Sequence, residues 1–511
     1  MVAGVKRAHS RSRTGPVAST ALRGAAASPH AAPALDRRPD VGSSDGRAPG
    51  SLLTLTFGLA VAVRAVHAAI TDPAFTSRGD NSFFVAVARS VATGHWGRLP
   101  TMDGPEAMSV KFPPLWPWTL GAGQKILWFL PQDKANAAWS ILVGASVAPL
   151  AGLLAWRVLD RLPAHRRRLI AAGAALLAAL HPLLIGATTS LMSEVMVVPI
   201  TLAILLMLDR IQRRGPRAGS LLALGALTAL AALLRFEALY MWGAVIVAVA
   251  VMTHSRRTAM IPLAMALIPA LAFSVVATRA AHEPVLVSTD AASAVAGSNC
   301  HSTLSGQAIG HWSKTCLNEV WLGRIPPNRR AVIYAYERQP TNRFPHQLGP
   351  RLEGRLQDAQ RRASVYAIRH HPVLFVRAVP VRIARALGLW WSPDQTRLEQ
   401  AEGRIIGWEV AGRWLHLLGV LPPFLIAAAG LLWRRSSLAT MLDRCADRRR
   451  LAPYAIAVGL WLAGVVLTHG STRHRAPVDA VFLIGATLGY AMLLNRSTGS
   501  TAPDRDGAAA R

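Results

Sequence analysis

Charged residues are scarce in this chain, and acidic ones scarcer. Only 16% of its 511 residues are Asp, Glu, Lys or Arg, and 27 acids stand against 56 Lys and Arg. With 52% hydrophobic residues and a mean hydropathy of +0.30, the chain is greasier than a soluble core of this size requires, and repeated membrane spans account for the excess. Internal repeats are also lacking, which argues against a transporter built from inverted halves. A net charge of +29 would suggest nucleic acid in a soluble protein, so the placement of the charges matters more than their sum.

Apolar runs of spanning length, roughly 17 to 25 residues, lie near 51–70, 136–156, 169–187, 191–208, 219–234, 238–253, 259–279, 406–433, 451–468 and 476–494. An all-α polytopic membrane protein with about ten transmembrane helices is expected. The short loops RVLDRLPAHRRR, DRIQRRGPR, HSRRT and RRSSLATMLDRCADRRR, with the two tails, hold +19 of the net charge. By the positive-inside rule they are cytoplasmic, and so are both termini. FPPLWPWTLGAGQKILWFL would invert this order if it crossed the bilayer. Pro113, Pro114, Pro117, Gly121, Gly123 and Lys125 interrupt it, so an interfacial helix on the outer leaflet is expected.

Five regions follow. Residues 1–50 form a disordered basic cytoplasmic tail rather than a signal peptide; a cleaved signal ending near AVHAAI is the alternative. Residues 51–279 form a transmembrane core that includes a first outer loop, 71–135. Residues 280–405 form an α-rich extracytoplasmic segment, 406–494 the C-terminal transmembrane helices, and 495–511 a cytoplasmic tail. Of three cysteines, Cys445 lies in a cytoplasmic loop, whereas Cys300 and Cys316 share the outer segment. A disulfide between them is expected, closing a loop of about fifteen residues and contributing roughly 3 kcal/mol. A zinc site with His301 and His311, or unpaired thiols, are the alternatives. Near the end of that segment, HPVLFVRAVPVRIARALGLWWSP reads as a second interfacial helix whose arginines face headgroups. Asp394 and Glu402 beyond it are candidate contacts for sugar hydroxyls.

Ionisable residues that interrupt the apolar pattern sit at the outer ends: Asp80, Lys111, Glu194, Arg235, Glu237, Arg473, His474 and Arg475. Groups at such depths pair, line a cavity or serve a pathway. Each also has a plain reading. Asp80 and Glu194 suit the first turn of a helix. Arg235 and Glu237 suit an ion pair across a turn, Lys111 suits a snorkelling lysine, and STRHRAP suits a helix entrance at lipid headgroups. Together they describe an acid, a cationic cluster and an apolar approach, fit for a phospholipid-like donor whose phosphate meets Arg and Lys.

The ordered set of an outer-loop Asp80, GHWG, KFPPLWPW, SE at a span entrance, LRFE and a late RHRAP resembles the GT-C superfamily of integral-membrane glycosyltransferases. Its branch using polyprenyl-phosphate sugars, with protein O-mannosyltransferases and lipid A aminoarabinose transferases, is the most similar. The resemblance implies a hexosyl or pentosyl transfer. It makes Asp80 the general base, Lys111, Arg473 and Arg475 the donor-phosphate contacts, and Glu194 a cavity-rim acid. Arg235, Glu237 and His474 complete the rim. Asn81 departs from the Asp-Glu pair common in those relatives, which puts a second carboxylate and metal binding in doubt.

The chemistry agrees. A phosphate leaves as a stable anion, so cations at the leaving group matter more than a general acid. The acceptor hydroxyl must lose a proton, for which a partly desolvated carboxylate serves. Attack opposite the phosphate inverts the anomeric carbon. No cofactor is expected; a divalent metal on Asp80, Asp103 and Glu106 is disfavoured because MDGPE lacks a compact ligand spacing. Expected partners are a polyprenyl-phosphate sugar, the bilayer of the cell (plasma) membrane, and an extracytoplasmic glycan, protein or lipid acceptor; nucleic acid is not one. The alternative is a transporter or flippase of a lipid-linked sugar.

Overall fold

The computed structural model describes residues 50–71, 80–102, 104–306, 308–313, 316, 347–390 and 405–496, without the side chain of His474. Both tails, Asp103, Asp394 and Glu402 lie outside the described residues. The described chain is a polytopic bundle of α-helices with one two-residue strand pair, Arg98–Leu99 against Ala107–Met108.

The ten expected runs all fall on helices, although not all as simple spans. Among the described residues seven helices are long and apolar enough to cross a bilayer: Gly50–Ile70 (α1), Gln132–Val158, Phe236–Thr253, Arg256–Ala281, Ile406–Leu432, Arg448–Leu467 and Arg475–Arg496. The expected 169–187 run is bent by 43° between Ala164–Leu180 and Pro182–Thr189. Pro182 cannot donate to the preceding turn, and its ring crowds it. Ala218–Leu234 has 17 residues, about 25 Å of helix and so shorter than the hydrocarbon core. Glu194–Arg214 is long enough but carries Glu194 in its first turn and Arg213 and Arg214 in its last. The proline-rich stretch after Phe112 forms only a 12-residue helix, Leu115–Ile126, too short to cross.

The C-terminal helix, Thr472–Arg496, is the hub. Its spanning window is 72% buried, against 22–44% for the other straight spans. Gly485 and Gly489, one turn apart, allow this burial, since a Cβ at Gly485 would meet the Phe424 ring 2.4 Å away. Small residues at this spacing are how membrane helices approach closely. The opposing helix Leu421–Leu432 follows a π turn at Leu415–Val420. Pro423 has no N–H to offer the Gly419 carbonyl, and Tyr490 of the C-terminal helix donates its hydroxyl there instead, at 2.7 Å. Arg64, within the α1 span, is fully buried, its Nη1 donating to the carbonyls of Ala60 (3.2 Å) and Ala179 (3.0 Å).

At one end of the bundle the two outer segments join into a layer. Met102 donates to the Gln347 carbonyl at 2.8 Å, Gln347 donates back to Pro100 at 2.9 Å, and its side chain reaches Ala107. A small core of Ala296, Leu348, Leu352, Leu356 and Ala359 packs beneath, with Met102 and Trp312 against it. A Cys300–Cys316 disulfide closes the loop carrying Trp312, so neither thiol is available to zinc. The helix Pro372–Ala386 corrects one expectation, because two of its arginines do not face headgroups. Arg382 and Arg385 are fully buried. Arg382 donates to the carbonyls of Val466 (2.6 Å) and Ser298 (2.7 Å), and Arg385 to that of Ile309 (2.9 Å). They clamp the outer layer to the bundle.

At the other end the arginine-rich loops meet. Asp160 pairs with Arg213 and Arg450, and Asp209 pairs with Arg213 at 2.8 Å. Cys445 is buried there as a free thiol.

Packing of the hub gives a direct check. Gly489→Ala places a methyl on Pro423 and should destabilise the chain by about 1–3 kcal/mol. Gly464→Ala meets no atom within 4 Å and should be neutral. Thermal unfolding in one detergent compares the two.

Candidate functional site

Four elements bring their N-terminal ends to one place. Asp80 opens the helix Asp80–Ala92, Glu194 opens Glu194–Arg214, and Arg473 lies in the first turn of the C-terminal helix. Arg235 is the N-cap of the 3-10 turn Phe236–Ala238, and Glu237 lies within it. Carboxylates are favoured at helix N-termini and cations are not, so Arg473 needs partners. Among the described residues its Nε donates to Glu194 Oε1 at 2.7 Å, and its Nη1 and Nη2 to Asp80 Oδ2 at 3.2 and 3.3 Å. Glu194 Oε1 also pairs with Arg235 Nη1 at 2.9 Å, and Arg235 Nη2 with Glu237 Oε1 at 2.7 Å.

The chain of ion pairs runs from the solvent side inward. Asp80 is 34% exposed, Arg473 15%, and Glu194 3%. Removing one member of a buried pair leaves its partner uncompensated, at a cost of about 3–5 kcal/mol. Neither plain reading survives alone. The Arg235–Glu237 pair across the turn exists, but it is one link in the chain. Glu194 sits in a first turn, yet Ser193 and not Glu194 is the N-cap, and the Glu194 carboxylate is taken by two arginines.

Asp80, Arg235, Glu237 and Arg473 line a cavity of about 170 Å³, and Glu194 lies buried behind the two arginines. Phe84, Phe112 and Pro113 supply one apolar wall, and Leu234 and Phe236 another. Trp312, whose indole donates to Ser293 at 3.2 Å, comes from the outer segment. His469 faces the same space and its Nδ1 lies 2.9 Å from Ser298 Oγ. Of the proline-aromatic stretch, Phe112 and Pro113 reach the cavity; Trp116 is fully buried and donates to the Leu191 carbonyl at 2.7 Å.

Asp290 is the acid that the sequence reading missed. It opens the short helix Asp290–Ala296 and lines the cavity. Backbone bonds fix it: Thr289 donates to the Val110 carbonyl at 3.0 Å and Asp290 to that of Lys111 at 3.1 Å. Although partly exposed to the cavity, its carboxyl is enclosed by protein. Enclosure raises its pKa to about 7, the like charge of Asp80 adding to the rise and Lys111 opposing it. Its signal in the sequence is faint, a lone acid in STDAASA outside any span.

Lys111 stands beside the cavity, with Nζ 5.4 Å from the centre of the Phe112 ring. Arg475 is placed elsewhere. It is 1% exposed, pairs with Asp479 through Nε at 2.5 Å, and donates through Nη1 to the Ala386 carbonyl at 3.2 Å. Residues two apart on a helix face opposite sides, so Arg473 and Arg475 cannot share one ligand there. Asn81 is buried beside Asp80 and its amide donates to the Ser190 carbonyl at 3.1 Å. Among the described residues no group of three His, Cys, Asp or Glu has metal-binding geometry.

No protein-family model matches the chain, and no curated protein matches it by sequence. Solved structures do. One is the oligosaccharyltransferase AglB of Archaeoglobus fulgidus, in complex with an inhibitory peptide and a dolichol-phosphate, at 12% identity and a TM-score of 0.43. The match covers 87% of this chain and 50% of that one, so the chain spans about half the length of that relative. Another is ArnT of Cupriavidus metallidurans bound to undecaprenyl phosphate, at 14% identity and a TM-score of 0.35, covering 88% of this chain and 79% of that one. At such identities no residue role passes from either to this chain.

The raised Asp290 carboxyl has a testable sign. Between about pH 4 and 7 the unfolded chain has released this proton while the folded chain keeps it, so folding loses stability as pH rises through that window. Asp290→Asn removes the effect. The variant's melting temperature relative to the parent chain should climb from pH 4 to 7 and level off above; a flat difference contradicts the assignment.

Proposed function

We propose that the chain is a membrane glycosyltransferase that moves a sugar from a polyprenyl-phosphate donor to an acceptor hydroxyl on the outer side of the membrane, with inversion. The observation that supports this most is the shared guanidinium of Arg473, held between Asp80 and Glu194 at the edge of a cavity with apolar walls.

In this reading a donor phosphate displaces the Asp80 oxygen from the Nη atoms of Arg473. Glu194 keeps the guanidinium in place through Nε. Arg473, with Lys111 nearby, then stabilises the charge that develops on the departing phosphate. Asp80, released from the ion pair, accepts the proton of the attacking hydroxyl. Asp290, with a pKa near 7, is a second proton-accepting group in the same cavity. Phe84, Phe112 and Phe236 give the lipid chain an apolar entrance. The two protein cations supply the positive charge the step needs, so the reading calls for no cofactor. Arg475 acts on Asp479 and Ala386, fixing the start of the C-terminal helix rather than binding phosphate.

The basic loops at the far end of the bundle favour an orientation with that end in the cytoplasm, both termini with it, and the cavity outside. A sugar and an acceptor are left to experiment. Purified chain in liposomes, offered a panel of radiolabelled polyprenyl-phosphate sugars with envelope glycans, proteins or lipids as acceptors, should transfer label. Asp80→Asn should lower transfer about 10²- to 10⁴-fold. Undiminished transfer by the variant removes the base assignment, and failure of the parent chain with every donor removes the proposed activity.

A further inference from the structure

A second cavity, of about 770 Å³, opens at the end of the bundle away from Asp80. Its position follows from the helices that form it. The helix Leu239–Thr253 begins beside Glu237 at the first cavity, and fifteen residues carry it about 22 Å to His254 at the second. Ala452–Leu467 runs the opposite way, from the second cavity towards His469 at the first. Leu421–Leu432 supplies the third wall.

Apolar and basic groups are segregated within it. Val251, Met252, Leu431, Leu432 and Ile456 line the space between the helices. Val251 is 52% and Leu432 72% exposed, so this wall faces the surroundings of the bundle directly. Arg434, Arg448 and Arg449 stand at the mouth, where the helices end. Arg448 is partly engaged, by the Gly430 carbonyl and by Asp443 at 3.5 Å. Arg434 and Arg449 are exposed, and among the described residues no acidic group is paired with either side chain.

The geometry points to a binding site for an anionic phospholipid, its phosphate held at Arg434 and Arg449 and its acyl chains laid in the groove along Val251, Leu432 and Ile456. Charge complementarity selects the lipid: an apolar slot between membrane helices whose rim carries three arginines suits a negative headgroup and offers nothing to favour a zwitterionic one. Depth agrees, since the arginines lie at helix ends, where headgroup phosphates reside, and the apolar wall lies in the span. The site is separate from the Asp80 cavity and does not rest on the proposed transfer reaction.

The test uses the full chain, delipidated in a neutral detergent and titrated with phosphatidylglycerol, with phosphatidylcholine and inorganic phosphate as controls, bound lipid being read by native mass spectrometry. Phosphatidylglycerol should bind and phosphatidylcholine should not compete with it. Arg434→Gln with Arg449→Gln should weaken binding roughly tenfold or more. Val251→Trp, which fills the groove without changing any charge, should weaken it as well. Equal retention by the parent chain and the double variant overturns the site. Loss in the double variant with full retention in Val251→Trp also overturns it, because the arginines would then hold a headgroup without a seated chain. Displacement by inorganic phosphate at equal concentration assigns the mouth to free phosphate and overturns the lipid. Unchanged unfolding temperatures in lipid-free detergent distinguish these effects from misfolding.

Discussion

A single guanidinium organises one end of this protein. Arg473 lies in the first turn of the helix that forms the most buried straight span, where the helix dipole opposes a cation, and it stays because Asp80 and Glu194 bring carboxylates to it. Both acids open helices of their own, where the dipole favours them. The three helix starts are therefore complementary, and each needs the other two in place. Glu194 passes the constraint on to Arg235, and Arg235 to Glu237, so the turn before Leu239–Thr253 is held in the same chain of charges. In a protein with only 27 acids in 511 residues, Asp80, Glu237 and Asp290 line one cavity and Glu194 lies behind its arginines.

What the sequence makes legible here is which residues are out of place. A carboxylate or guanidinium interrupting an apolar run is conspicuous by composition, and Asp80, Glu194, Arg235, Glu237 and Arg473 all stand out that way and do meet. Their partners were harder to see. RHR looks like one basic motif, yet helix geometry sends Arg473 to the cavity and Arg475 to Asp479 on another face. Asp290 lies in a polar segment where an acid is unremarkable. Long-range backbone bonds to Val110 and Lys111 hold it at the cavity. Arg382 and Arg385 sit in an amphipathic pattern that suits a surface helix, but the carbonyls they clamp belong to segments far away in sequence. The span count fared similarly: hydropathy located each helix, while the bend at Pro182 and the charges on Glu194–Arg214 are properties that a window average conceals.

The alternative of a transporter turns on the charges found at depth. A transported substrate needs polar groups that face a pathway open in turn to both sides, and such groups cluster near the midplane. Arg64 is buried at depth, but its Nη1 is held by two helix carbonyls, Ala60 and Ala179, which join α1 to a neighbouring helix. Arg475 and Asp479 neutralise one another against the end of Pro372–Ala386. Both sets of contacts are between protein groups and lock helices together. A mobile step that separated these helices would strip the Arg64 guanidinium and the Arg475 Nη1 of their carbonyl acceptors, which is costly for a buried charge. The transfer proposed for the Arg473 cavity requires no such step, because the acid–cation pairs there join helix starts that stay in place.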